Sequence, residues 1–336
     1  MKSDDMILKA AIVHILDSSV GVPVLSDHLI DTGTDFSDLL KSHIEKITES
    51  DDIKTCRFSD ASEVRNLLMQ CSPDNFIETS KRLAERLYEI MNEHIDIPAG
   101  DLAVVVFSSQ GNDYLAFLKM DYKTSYTHAT RESDGTNLNE IILQKALLPG
   151  QGQRLSEAFV INLSDGSLVL TEKKYEVNGE KRFYFSELFL ECHAPLSQKS
   201  KLDIVTKAVD QVARKYYGEE DAEKKMEIKN IICRELEEEG KLKVPALREK
   251  VFKDSPEMLS ALDEKLDKYD MAYETVQPQN EQTIKKFQKQ RLTTDTGIEI
   301  TIPMEEYRNP EHVEFITNLD GTISVLIKNI GVLSSR

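Results

Sequence analysis

The sequence predicts an α+β fold: a mostly antiparallel sheet with helices in residues 1–197, then a helix-rich domain, 198–336, carrying a small terminal β-sheet. Three observations lead there. Residues 102–109 (LAVVVFSS) and 114–123 (YLAFLKMDYK) flank a QGND turn and are apolar enough for the centre of a sheet. Residues 157–185 read as two linked hairpins, with strands 157–163, 168–177 and 181–185 joined by Asp165-Gly166 and Asn178-Gly179. From Pro195 onward, period-2 alternation gives way to helical periodicity over 199–217, 219–239, 244–252 and 256–269.

The remaining elements follow in order. Residues 6–30 suggest a hairpin, with Ile7, Ala11, Val13 and Ile15 alternating before a turn at 18–21. A helix over 35–48 has Asp35 as its N-cap and Phe36, Leu39, Leu40, His43, Ile44 and Ile47 on one face, which makes His43 a core histidine rather than a ligand. Helices are expected at 62–71 and 74–94. The polar stretch 127–139 reads as a surface loop, and 138–147 as a helix. Ser255-Pro256 gives a helix start with proline at the first position. The Gln- and Pro-containing segment 270–282 is a connector. Strands follow at 296–302, 312–317 and 322–328, the last two closed by a turn ending in Asp320-Gly321.

Composition narrows the function. A hydrophobic fraction of 40% in 336 residues supports more than one core. No apolar run is long enough to span a bilayer, and the N-terminus has no signal-peptide pattern, so a cytoplasmic protein is expected. Cys56, Cys71, Cys192 and Cys233 lack zinc spacing and read as four reduced thiols. A net charge of −17 excludes a protein that wraps nucleic acid over its whole surface. Any DNA contact must come from a local basic face.

Catalytic motifs are weak. Gly150 and Gly152 in LPGQGQRL complete no phosphate loop and mark a turn. Asp101, with Asp121 and Lys123 on a shared strand face, outlines the carboxylate–lysine arrangement of a metal-dependent nuclease, the main alternative reading. We expect no catalytic residue, no metal and no cofactor.

Basic segments are the better signal. Lys173, Lys174, Lys181 and Arg182 bracket the Asn178-Gly179 tip beside Tyr175 and Tyr184, which could stack on bases. Lys199, Lys201 and Lys207 follow, with Arg214 and Lys215 further along the same helix. Lys285, Lys286, Lys289 and Arg291 fall in an acid-free stretch, where a helix would set the three lysines on one side. The acidic stretch 218–240, supported by Glu220–Lys224 and Asp221–Lys225 pairs, suggests a third reading, an adaptor docking a basic or DNA-handling protein.

NDYLAFLKMDYK, the LPGQGQRL…EKRFYFSEL block and TIKKFQKQRLTTDTGIEITIP together resemble the 37-kDa nucleoid-associated protein family of bacteria. That resemblance implies a chromosome-associated protein that binds double-stranded DNA. It supplies no catalytic signature; the basic positions above are the contacts it suggests. A related fold in phage-defence systems adds a defence effector as an alternative and a defence protein as a partner. A homodimer and a nucleoid location complete the expectations.

Overall fold

The computed structural model describes residues 1–18, 21–94, 96–133, 135–218 and 222–334. The chain divides into two compact units, Met1–Ser197 and Gln198–Arg336.

The first unit opens with β1 (Met6–Leu16), α1 (Gly33–Thr48), β2 (Lys54–Phe58), α2 (Glu63–Met69) and α3 (Phe76–Glu93). It continues through β3 (Gly100–Ser109), β4 (Asn112–Asp121), β5 (Lys123–Ser133), β6 (Thr136–Leu147) and β7 (Glu157–Asn162). The remaining strands are β8 (Leu168–Thr171), β9 (Tyr175–Val177), β10 (Glu180–Arg182) and β11 (Cys192–His193), the last preceded by a π-helical turn, Phe185–Phe189. Seven strands form one antiparallel sheet in the order β1-β3-β4-β7-β8-β2-β11.

Both faces of that sheet are covered, which explains why its central strands are apolar without alternation. Leu102, Val104, Leu115, Phe117, Phe159 and Ile161 pack against α2, α3 and the π-helical turn. The intervening Ala103, Val105, Ala116, Leu118, Ala158 and Val160 pack against α1 through Leu40, Ile44 and Ile47. Phe117, Phe159, Phe185 and Phe189 form a ring cluster, with Phe117 stacked on Phe159 at 4.9 Å. The β3–β4 turn places Gln110 and Gly111 at positive φ, and the β9–β10 turn does the same with Asn178 and Gly179. These are the dihedrals that match a two-residue turn to strand twist. His43 is buried, and its Nε2 lies 3.3 Å from the Pro149 carbonyl.

Several expectations are corrected. The anticipated loop at 127–139 and helix at 138–147 are instead a long hairpin, β5–β6. The apolar spacing of 138–147 fits a helix, but the threonine-rich partner strand 123–133 draws it into cross-strand pairing. Strand 168–177 breaks at 172–174, where the buried Glu172 carboxylate accepts from Ser186 and pairs with Lys54 at 2.8 Å. Strand 181–185 ends at Arg182. Residue 24 meets β1 only by a bridge at Ile15; β1 pairs along its length with β3 instead. The α1 N-cap is Thr32, so Asp35 lies in the first turn. The turn at 18–21 includes residues outside those described. Cys56 and Cys192 are joined in a disulfide, leaving Cys71 and Cys233 as free thiols. Antiparallel pairing of β2 with β11 brings those two cysteines together from 136 residues apart.

The second unit comprises α4 (Gln198–Tyr217), α5 (Ala222–Glu239), β12 (Leu242–Lys243), α6 (Val244–Phe252), α7 (Pro256–Asp267) and β13 (Thr275–Val276). It ends with α8 (Glu281–Lys285), β14 (Lys289–Thr293), β15 (Glu299–Pro303), α9 (Met304–Tyr307), β16 (Val313–Thr317) and β17 (Ile323–Ile327). Leu202, Val205, Val209 and Val212 of α4 are buried, as are Leu262 and Leu266 of α7. β14–β15 and β16–β17 are two separate hairpins. Met226 and Cys233 of α5 meet Met304, and Phe287, Leu292, Tyr307 and Phe315 pack around them. The helix that would set Lys285, Lys286 and Lys289 on one side does not run through this stretch: α8 stops at Lys285, and β14 begins four residues later. Gln290 and Leu292 alternate inward there while Lys289 and Arg291 face out, a period of two that a helix cannot supply.

Candidate nucleic-acid interface

The sequence-predicted cations divide between the units. In the first, Lys173, Lys174 and Lys181 are exposed around the β9–β10 hairpin. Their neighbours are acidic. Lys181 sits opposite Glu176, and Arg182 pairs with Glu187 at 2.7 Å. Lys173 lies over the Tyr175 ring at 5.6 Å and Lys174 over Phe183 at 4.8 Å, so aromatic faces already hold both ammonium groups. Tyr184 is fully buried and packs edge-on against Tyr175 at 5.6 Å. This corrects the idea of a stacking platform, because Tyr184 fills the core instead of facing solvent.

In the second unit, α4 presents its basic residues in different directions. Lys199 is half-buried at its start, and Lys201 pairs with Glu274 at 2.7 Å. Lys207 lines a depression between α4 and α7 with Lys265, Lys268 and Asp203. About two turns later, Arg214 lies beside α5. There it lines a groove with Asp210, Lys225, Lys229, Phe287 and Gln290. Asp210 is the one carboxylate among the lining residues and pairs with Arg214 at 2.9 Å.

Lys229 organises this groove. Its Nζ donates to the Lys289 carbonyl at 2.8 Å and to Gln290 Oε1 at 2.6 Å, which fastens β14 to α5. Burial pulls its pKa down. Lys289 and Arg291 project from the outer side of β14, and Lys286 is exposed just before it. Lys285 is held by Glu281 at 3.0 Å, and Arg291 pairs with Glu299 across the hairpin. Among the described residues, no ion pair engages Lys286 or Lys289. The fold therefore gathers Arg214, Lys225 and Lys229 beside the 286–291 segment. The sequence reading takes Lys225 only as the partner of Asp221 and passes over Lys229, because both lie inside the most acidic stretch of the chain. Their i,i+4 spacing was the available signal, since it puts both on one helix face.

Glu220 and Asp221, the acids expected to pair with Lys224 and Lys225, lie outside the described residues. The later α5 acids are engaged within the unit: Glu237 pairs with Arg308 at 2.9 Å and Glu235 with Lys250. The carboxylates of the nuclease alternative do not converge. Gly100 sits opposite Asp121 and Asp101 opposite Met120, so the two acids point to opposite faces of the β3–β4 pair. Asp121 pairs with Lys119, Asp101 accepts from the Tyr122 hydroxyl at 2.7 Å, and Lys123 already belongs to β5.

An acidic, two-unit α+β chain with cations gathered locally is consistent with a protein that associates with the nucleoid. A family model described as nucleoid-associated protein YejK matches residues 12–332, and the chain belongs to that family. Comparison with curated proteins finds no match. Among the described residues, no helix is long and apolar enough to cross a membrane.

Proposed function

We propose that this nucleoid-associated protein is cytoplasmic and binds double-stranded DNA through backbone phosphates, largely independently of sequence and without catalysis of its own. The observation that supports this reading is the gathering of Arg214, Lys225 and Lys229 next to Lys286, Lys289 and Arg291 in a chain of net charge −17. Local cations can release counterions from a phosphate backbone while the acidic remainder stays turned away. Phosphate contacts fix position without reading bases, which accounts for weak sequence preference.

A salt titration with duplex DNA tests it. Each neutralised phosphate contributes about −0.9 to the slope of log affinity against log salt. Replacing Lys286, Lys289 and Arg291 together by alanine is expected to flatten that slope by about two to three units. A folded triple variant with the parental slope removes this segment from the interface. The same duplex incubated with Mg²⁺ is expected to keep its length; shortening it would overturn the non-catalytic part.

A further inference from the structure

The β5–β6 hairpin has no role in the reading above, and it is unusual. Of its described residues, all but Ala129 and Glu140 are exposed, including Tyr126, Leu138, Ile141, Ile142 and Leu143. Among the described residues it forms a sheet of two strands only, with no third strand joined to either outer edge. An isolated two-stranded ribbon is marginal in water and gains stability by acquiring strands or cover. Natural edges are usually blunted by proline, bulges or dense charge. Between residues 123 and 147 there is no proline, one glycine at the tip, and one register shift at the base.

We propose that this arm is the dimerisation surface of the protein, with β6 pairing antiparallel to β6 of a second copy about a two-fold axis centred on Ile142. The sequence of β6 is self-complementary in that register. Ile142 opposes itself, Ile141 opposes Leu143, and Leu138 opposes Ala146. The polar positions match as well: Glu140 opposes Gln144 and Asn139 opposes Lys145. Moving the axis to Ile141 would instead set Glu140 against Ile142, which strands a charge against an apolar side chain. The 12 residues of β6 give a seam about 40 Å long, joining two hairpins into a four-stranded sheet.

Charge selects the occupant. Residues 123–147 carry Lys123, Arg131 and Lys145 against Glu132, Asp134 and Glu140, a balance of zero inside a chain of net charge −17. Two such acidic chains can meet here without repulsion, whereas a neutral arm offers little to a phosphate backbone.

Sedimentation equilibrium of the full chain between about 1 and 100 µM is expected to show a dimer. Ile142→Lys sets two like charges against each other at the axis and is expected to raise the dissociation constant at least tenfold, while Ile142→Val keeps the dimer. Ile142→Cys is expected to cross-link copy to copy on oxidation, since directly opposed strand residues lie within disulfide reach, and Thr130→Cys on β5 is not. A wild-type chain monomeric throughout this range overturns the proposal. So does a dimer that survives Ile142→Lys while Ile142→Cys fails to cross-link, and so does an arm whose only measurable partner is DNA.

Discussion

Lys119 Nζ lies 3.3 Å from a carboxylate oxygen of Glu157, with both side chains fully buried on the face of the sheet that supports α3. The two residues are directly opposed on β4 and β7, and the partly buried Asp121, one strand alternation from Lys119, completes a triad around the ammonium. The Tyr175 hydroxyl lies beside the same carboxylate. Desolvating two acids and a lysine is unfavourable unless they stay together.

Removing one member should therefore be more damaging than removing a pair. Lys119→Met is expected to lower unfolding stability by about 3–5 kcal/mol, because it leaves a buried carboxylate uncompensated. Adding Glu157→Leu to that variant should recover much of the loss. Denaturant melts of both variants check this, and a single variant within about 1 kcal/mol of the parent would refute the triad's role.

Stability should also vary with pH through Glu157. Burial is the larger influence and pushes its pKa up to about 7, against a smaller opposing effect from the Lys119 charge. The unfolded carboxyl releases its proton near 4.5. Between these values the folded chain keeps a proton that the unfolded chain has lost, so stability falls as pH rises through the window and levels off above it. The full effect is about 3 kcal/mol. His14, which burial holds at about 4, adds an opposite slope below pH 6.5. The measurement is therefore the difference between wild type and Glu157→Gln. The descending limb should disappear in the variant, and identical pH profiles would rule out Glu157 as its source.

The disulfide makes a chemical prediction. Protein purified without reductant and then denatured should present two reactive thiols, Cys71 and Cys233, to a thiol reagent. Four reactive thiols would mean that Cys56 and Cys192 remain reduced. In the folded chain Cys233 should react slowly, since burial first, and then the Glu237 carboxylate, push its pKa up to about 11.

Local chemistry in the sequence was sufficient for much of the fold. The apolar runs 102–109 and 114–123 are legible because a strand buried on both faces needs no alternation, and Asn178-Gly179 because few other residue pairs take two consecutive positive φ values. The helices after Pro195 were visible for a similar reason, as 3.6-residue periodicity is written into the spacing itself. What stayed hidden depended on a partner distant in sequence. Residues 138–147 carry a helical pattern and become a strand only because 123–133 lies alongside. Cys56 finds Cys192 only when β2 pairs with β11. The basic residues are visible in the sequence as candidates, but what stands beside each of them is not. Tyr184 turns into the core, Asp101 and Asp121 part to opposite faces, and Lys225 and Lys229 turn from an acidic helix toward Arg214. A periodicity fixes which way a side chain faces from its own element, whereas only packing decides what stands opposite it.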